Sequence, residues 1–318
     1  MVGVGLADVW MSDGTIRAVG AVDAPGAAEL DATGLWIAPA VIDAHVHLAY
    51  LPQAAEMADG GVAGAVDLAA PLTWLPPTVP ITMRAGPMVT AVDGYPTTSW
   101  GADGYGTECA DASAAAAAVE RHIAAGATVI KLAVTGEPTL TDDALAAAVA
   151  AARNHGVPVV AHALSDVDAL RAAQAGADIL AHSPVGALSP ATVAAWADRA
   201  VISTLGAFGA APTATANLAA LHDAGATVLY GTDFGNSTKL GIDVDELSRI
   251  ADAGLGPAGA LAAATSGPAE AFGFDTLGSL AVGKAASALL LEGDPTVDVT
   301  AWGRLHTVII QGAVRSAP

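Results

Sequence analysis

Basic residues are scarce in this chain: twelve Lys and Arg stand against thirty-two Asp and Glu, for a net charge of −20. So acidic a protein lacks the basic footprint that nucleic acid or an anionic membrane surface needs. A small molecule is the expected partner, and a homo-oligomer is compatible with the composition. Cysteine is nearly absent. With Cys109 alone, an internal disulfide framework is excluded. Long hydrophobic runs are missing as well: 53% of residues are hydrophobic, yet no stretch reaches the ~20 unbroken apolar residues of a membrane helix. The opening "MVGVGLADVWMSDG" has neither the basic n-region nor the apolar core of a secretion signal. A soluble, cytoplasmic protein is expected. Lysine is the rarest charge, with three copies, and one of them, Lys131, lies inside an apolar run.

What is present is a regular alternation. Apolar strand candidates fall at 39–46, 62–69, 81–90, 127–134, 157–163, 177–182, 200–206 and 226–232. Ala-rich stretches such as "DASAAAAAVERHIAAG" and "TDDALAAAVAAARNHG" lie between them and end in Gly, as helix C-termini do. This pattern predicts an α/β protein with a (β/α)8 TIM-type barrel over 39–277; a doubly wound sheet is the alternative. The segment from Pro71 to Pro80 is too rich in Pro for a helix and reads as a rigid loop on the barrel rim. Short strands with turn residues, around Ser12-Asp13-Gly14 and again near the C-terminus, predict that residues 1–38 and 278–318 form one small β-sandwich.

The polar residues in the strands carry the chemistry. "VIDAHVHLAY" places His45 and His47 one residue apart in an apolar run, so both project from one face of a strand. Burying two imidazoles is costly unless something binds them. Later strands end "VIKLAVTG", "VVAHALS", "ILAHSP" and "VLYGTDFGN". His45, His47, Lys131, His162, His182 and Asp233 therefore stand at or near the C-terminal ends of five strands, the face where barrels build active sites. Any one of them could be an ordinary core or turn residue; all six at one end points to a site. His122, His155, His222 and His306, on helices or in the tail, read as surface residues.

With these residues in hand, the chain resembles the amidohydrolase superfamily, in its imidazolonepropionase-like or metal-dependent Xaa-Pro dipeptidase-like branch. The resemblance rests on "GLWIAPAVIDAHVHL", "VIKLAVTGE", "AHALSDVDALRAAQAGADILAHS", "YGTDFG" and "GSLAVGKAASALLLEGDPTVDV". It implies that His45 and His47 bind the more buried of two divalent metals and that His162 and His182 bind the more exposed one. It implies further that Lys131 is carboxylated and bridges them, and that Asp233 binds metal and shuttles a proton. Zinc is the first expectation, manganese or cobalt the alternatives. The implied activity is hydrolysis of a C–N bond (amide, peptide or cyclic amide) in a small molecule. Alternatives are a mononuclear hydrolase of a cyclic amide or lactone and, from another class, a metal-free scaffold or binding homologue.

Two departures bear on the substrate. Leu164 stands where relatives often have a second His, and Glu137 where they often have Gly. Deaminating relatives generally carry Glu three residues after the strand-5 His; here that position is Ser165, which argues for amide hydrolysis. The loop "AVDGYPTTSWGADGYGTECADAS" offers Tyr95, Trp100 and Tyr105 as a pocket wall or lid. Its aromatics could equally serve only to anchor the loop. Arg84 and Lys239 are the candidates to bind a substrate carboxylate.

Overall fold

The computed structural model describes residues 1–2 and 5–315. The chain opens on a hairpin of β1 (Asp8–Ser12) and β2 (Thr15–Gly20). Asp13 and Gly14 both take left-handed φ values at its turn, as a two-residue hairpin demands. β3 (Trp36–Pro39) runs directly into β4 (Val41–Val46). Next come β5 (Val62–Asp67), β6 (Ile81–Arg84), β7 (Met88–Ala91), β8 (Gly106–Cys109) and β9 (Ile130–Ala133). β10 (Val159–His162), β11 (Ile179–Leu180), β12 (Ala200–Ile202) and β13 (Thr227–Leu229) continue the series. β14 (Ala288–Leu291), β15 (Leu305–Ile310) and β16 (Ala313–Arg315) end it. The helices are α1 (Ala54–Asp59), α2 (Ala112–Ala124), α3 (Asp142–Asn154), α4 (Asp166–Ala175) and α5 (Pro190–Ala195). After them come α6 (Pro212–Asp223), α7 (Val244–Ile250), α8 (Gly256–Ala264) and α9 (Ser266–Phe272).

Strands β4, β5 and β6 pair in parallel. β6 continues through Ala85-Gly86-Pro87 into β7, so the two make one bent strand, and β7 pairs with β9. From β9 to β13 each strand pairs in parallel with the next. The ring closes where the segment after β13 returns to β4: Ala44 N donates to Tyr230 O at 2.9 Å, and His47 N to Phe234 O at 2.7 Å. Counting β6 and β7 as one, this is the eight-stranded parallel barrel expected from the alternation. β8 is an addition, paired along the edge of β7 opposite β9. Both ends of the chain supply the four-stranded antiparallel sheet β16-β15-β14-β3, and the hairpin joins it through a Thr15–Ala285 bridge.

Local chemistry sets the helix ends. Asp111, Thr141, Ser165 and Ser189 each accept a backbone N–H at a helix start, an N-cap worth about 1 kcal/mol apiece. Gly126, Gly156, Gly176 and Gly225 end α2, α3, α4 and α6 in left-handed conformation. The Pro-rich segment between β5 and β6 holds no helix. No helix among the described residues is long and apolar enough to cross a membrane.

One surface expectation is overturned. His155 and His306 are exposed and His222 partly so, but His122 is buried, because the face of α2 that carries it packs on the sheet at β7 and β8. Its Nε2 meets Thr107 Oγ1 at 3.0 Å. Burial holds the imidazole pKa down at about 4, against 6.5 in water. The unfolded chain therefore takes up the proton first as pH falls, so the stability contributed by neutral His122 is complete above pH 6.5 and lost toward pH 4. Relative to His122→Gln, the wild type should lose about 2 kcal/mol between pH 7 and pH 5, measured by urea unfolding. A difference that stays constant with pH would show that the buried imidazole titrates as it does in water.

Candidate metal centre

Because β4 and the segment after β13 pair at the closure, His45, His47 and Asp233 meet. Asp233 Oδ1 lies 3.0 Å from His47 Nε2 and 3.4 Å from His45 Nε2. Two glycines allow this approach. A Cβ on Gly231 would stand 3.1 Å from His45 Cβ, and one on Gly235 only 2.7 Å from His47 Cβ. Asp233 itself has φ 53°, a left-handed conformation that costs a non-glycine residue about 1–3 kcal/mol. Asp233 N donates to His45 O at 2.9 Å, and Asp233 O accepts from Ser237 N at 2.7 Å, so neighbours on both sides hold the strained residue.

The other strands converge on the same place. His162 ends β10 and His182 lies two residues past β11, with His182 Nε2 3.0 Å from His162 Nδ1. The ligand atoms of His45, His182 and Asp233 all lie within 4.8 Å of one another. Lys131 is fully buried in β9.

This donor set fits a divalent metal. His47 Nδ1 and Lys131 Nζ are buried with no hydrogen-bond partner, and Nε2 of His45 and of His47 meet only Asp233 Oδ1, out of hydrogen-bond alignment, an arrangement that costs energy unless another group binds there. Burial, reinforced by Lys131 and neighbouring imidazoles, depresses His45 and His182 well below the usual histidine range and His162 to about 3. All three are therefore neutral, the form that ligates metal. Burial also pushes the Lys131 ammonium down to about 7, with Asp233 opposing.

Supporting groups orient the rings. His45 Nδ1 lies 3.0 Å from Ala181 O, and His182 Nδ1 lies 2.8 Å from Thr204 Oγ1. Thr204 has φ 41°, an outlier for a β-branched residue. Asp43 accepts from His45 N, Thr232 N and Thr232 Oγ1 at 3.1, 3.1 and 2.6 Å, tying the first strand to the last. Asp67 accepts from Ala49 N and Ala69 N at 2.9 and 3.1 Å, fixing the turn after His47. Burial raises the Asp43 carboxyl to about 7 and that of Asp67 to about 6. Sequence reasoning missed Asp43, Asp67 and Thr204. An Asp inside each of the runs "VIDAHV" and "AVDLAA" was the available signal; for Thr204 there was none.

The aromatic loop lies against the histidines. Tyr95 stacks on His162 with ring centres 4.8 Å apart, and Trp100 meets His47 edge-on at 5.2 Å. Trp100 Nε1 donates to the Tyr95 hydroxyl at 2.9 Å, and the Tyr105 hydroxyl to Ala49 O at 3.1 Å. The loop thus anchors itself and walls the site at once. Phe208, not anticipated, lies 4.7 Å from the His182 ring. Arg84 is placed elsewhere. Its guanidinium donates to the carbonyls of Leu72, Trp74, Ala125 and Gly126, so the expectation that it binds substrate is corrected: its donors serve the Pro-rich segment and the end of α2. Ser165 is the N-cap of α4, and Glu137 is exposed.

Residues 74–315 match the amidohydrolase family model. The chain belongs to the amidohydrolase family. Compared with proteins of curated function, its sequence has no match. Solved structures of similar fold include a Xaa-Pro dipeptidase with methionine bound in its active site, at 20% identity and TM-score 0.81, covering 96% of this chain and 94% of that one. A molinate hydrolase matches at 20% identity and TM-score 0.77, covering 97% and 90%. Phenylurea hydrolase B matches at 20% identity and TM-score 0.74, covering 99% and 95%. At these identities the likeness is one of fold. His45 and His47 precede the span matched by the amidohydrolase model, so their place in the centre rests on the geometry above.

Proposed function

We propose that this amidohydrolase is a metal-dependent enzyme that hydrolyses a C–N bond, an amide, peptide or cyclic amide, in a small molecule. The observation that carries the reading is the convergence of buried nitrogens of His45, His47 and Lys131 that lack a hydrogen-bond partner, around the carboxylate of Asp233, with His162 and His182 beside them. Imidazole and carboxylate suit zinc, with manganese and cobalt as alternatives. Bound there, a divalent metal would act as a Lewis acid, acidifying water and polarising the scissile carbonyl.

The chain's own groups do the rest. Lys131 Nζ, with its pKa near 7, can shed a proton, add carbon dioxide and release a second proton to solvent as the carbamic acid ionises; the product is an anionic carbamate that would serve as a metal ligand. Asp233 can accept a proton from attacking water and return it to the departing amine. Thr204 and the Ala181 carbonyl hold the His182 and His45 rings in place, a positioning that typically matters 10–100-fold for metal affinity or activity. A mononuclear reading draws on a specific observation too: the ligand atoms of His45, His182 and Asp233 all lie within 4.8 Å of one another, enough for one metal with a position left open.

Elemental analysis decides between them. The binuclear reading expects about two divalent metals per chain. It also expects Lys131→Ala to lose one metal and most of its activity in a hydrolysis screen of dipeptides, N-acyl amino acids, lactams and lactones. A fully active Lys131→Ala enzyme with unchanged metal content would favour the mononuclear reading. Protein that binds no metal, and that Zn²⁺, Mn²⁺ and Co²⁺ all fail to activate, would end both and leave the scaffold alternative.

A further inference from the structure

Glu246 is a buried carboxylate that the proposed chemistry leaves unused. It lies on α7 and is 1% exposed, and burying a carboxylate is costly unless donors meet it. Leu205 N donates to its Oε1 and Gly206 N to its Oε2, both at 2.7 Å. Arg249 stands further off, with Nη1 3.8 Å from Oε2, so the two backbone amides carry the contact. Those amides belong to the segment after β12, which reaches the centre on both sides of them. Thr204, just before, holds a left-handed φ of 41° and brings Oγ1 to 2.8 Å from His182 Nδ1. The turn Gly206–Phe208, just after, sets the Phe208 ring 4.7 Å from that of His182.

The start of α7 is itself held by the segment after β13. Asp243, the N-cap, accepts from Glu246 N at 3.3 Å, and its own N donates to the Tyr230 hydroxyl at 2.8 Å, three residues before Asp233. A backbone conformation that strains a β-branched residue persists only where its surroundings over-determine it. The Glu246 carboxylate, gripping the two amides that follow Thr204, supplies that constraint. We infer that Glu246 is a positioning residue of the metal centre: by holding the Leu205 and Gly206 amides it keeps Thr204 on His182, so that the imidazole proton stays on Nδ1 and Nε2 keeps its lone pair for a metal. Its purpose rests on the metal-dependent reading, whereas the orientation of His182 exists without any metal.

Two measurements on the full-length protein test it. In the metal-free form, nitrogen-15 NMR of labelled histidines, with His182 assigned by its loss in His182→Asn, should show a single tautomer protonated on Nδ1. Glu246→Gln, which keeps the shape but turns an NH2 toward one of the amides, should give a mixture of tautomers. Zinc affinity, read by competition with a chromophoric chelator, should weaken about tenfold in Glu246→Gln and at least as much in Thr204→Ala. The double variant should bind no more weakly than Thr204→Ala alone, because Glu246 acts through that residue. Glu246→Asp, which keeps the charge but is one methylene too short to hold both amides, should show the same changes; urea unfolding gives the stability of each variant. Glu246 variants that lose stability yet keep the wild-type His182 signal and zinc affinity would make this carboxylate a tie of the fold alone and overturn the inference. Losses that multiply in the double variant would overturn it too. Wild-type protein that binds no zinc, with a His182 tautomer that still depends on Glu246, would count against the metal reading and leave the positioning standing. Tight zinc binding indifferent to Glu246→Gln would do the reverse.

Discussion

His45→Ala should lose bound metal and hydrolytic activity together. His45 is buried, and its Nε2 points at Asp233 Oδ1 from 3.4 Å while Nδ1 is spent on the Ala181 carbonyl. Nε2 makes no aligned hydrogen bond within the protein, and it faces Asp233 at the junction of β4 with the segment after β13, where a metal would use it. Truncation removes that donor from a triad whose ligand atoms lie within 4.8 Å. Metal-ion catalysis is worth several kcal/mol of transition-state stabilisation, which corresponds to a loss on the order of 10³-fold or more in turnover. Elemental analysis and turnover should fall in step, and a chelator should reproduce the effect on the wild type, reversibly on return of zinc. A His45→Ala protein that is metal-free yet still active would show that the proposed chemistry does not run through this centre.

Asp233→Asn separates proton transfer from metal binding. Asparagine keeps an oxygen of the same shape and tolerates left-handed backbone, so the φ of 53° and the contacts to His45 O and Ser237 N can persist. What it cannot do is carry a proton. Loss of a positioned general acid–base typically costs ~10²–10⁴-fold in rate, so turnover should drop by that amount while metal content falls far less. A metal-replete Asp233→Asn enzyme working at the wild-type rate would place the shuttle elsewhere. Asp233→Ala is the poorer test, since alanine at that φ adds backbone strain to the loss of the carboxylate.

The sequence by itself determined the order of the elements and the residues at their ends. Strand runs and Gly terminators act within a few residues, so local pattern reports them; N-caps such as Ser165 are equally local but were recognised only in the structure. His45, His47, Lys131, His162, His182 and Asp233 were legible because each interrupts an apolar run, where a polar group is costly without a partner. What only the tertiary structure decided depends on contacts distant in sequence. Asp43 is 189 residues from Thr232, and their hydrogen bonds exist because the barrel closes there. Thr204 reaches His182 across 22 residues, through the pairing of β11 with β12. His122 and Arg84 show the same limit from the other side. On the sequence one looked like a surface histidine and the other like a free cation. Packing of α2 on the sheet buried the first, and the helix-free segment between β5 and β6, together with the end of α2, engaged the second. Which side chains face the centre follows from register and closure, properties of the whole ring that no single stretch of the chain contains.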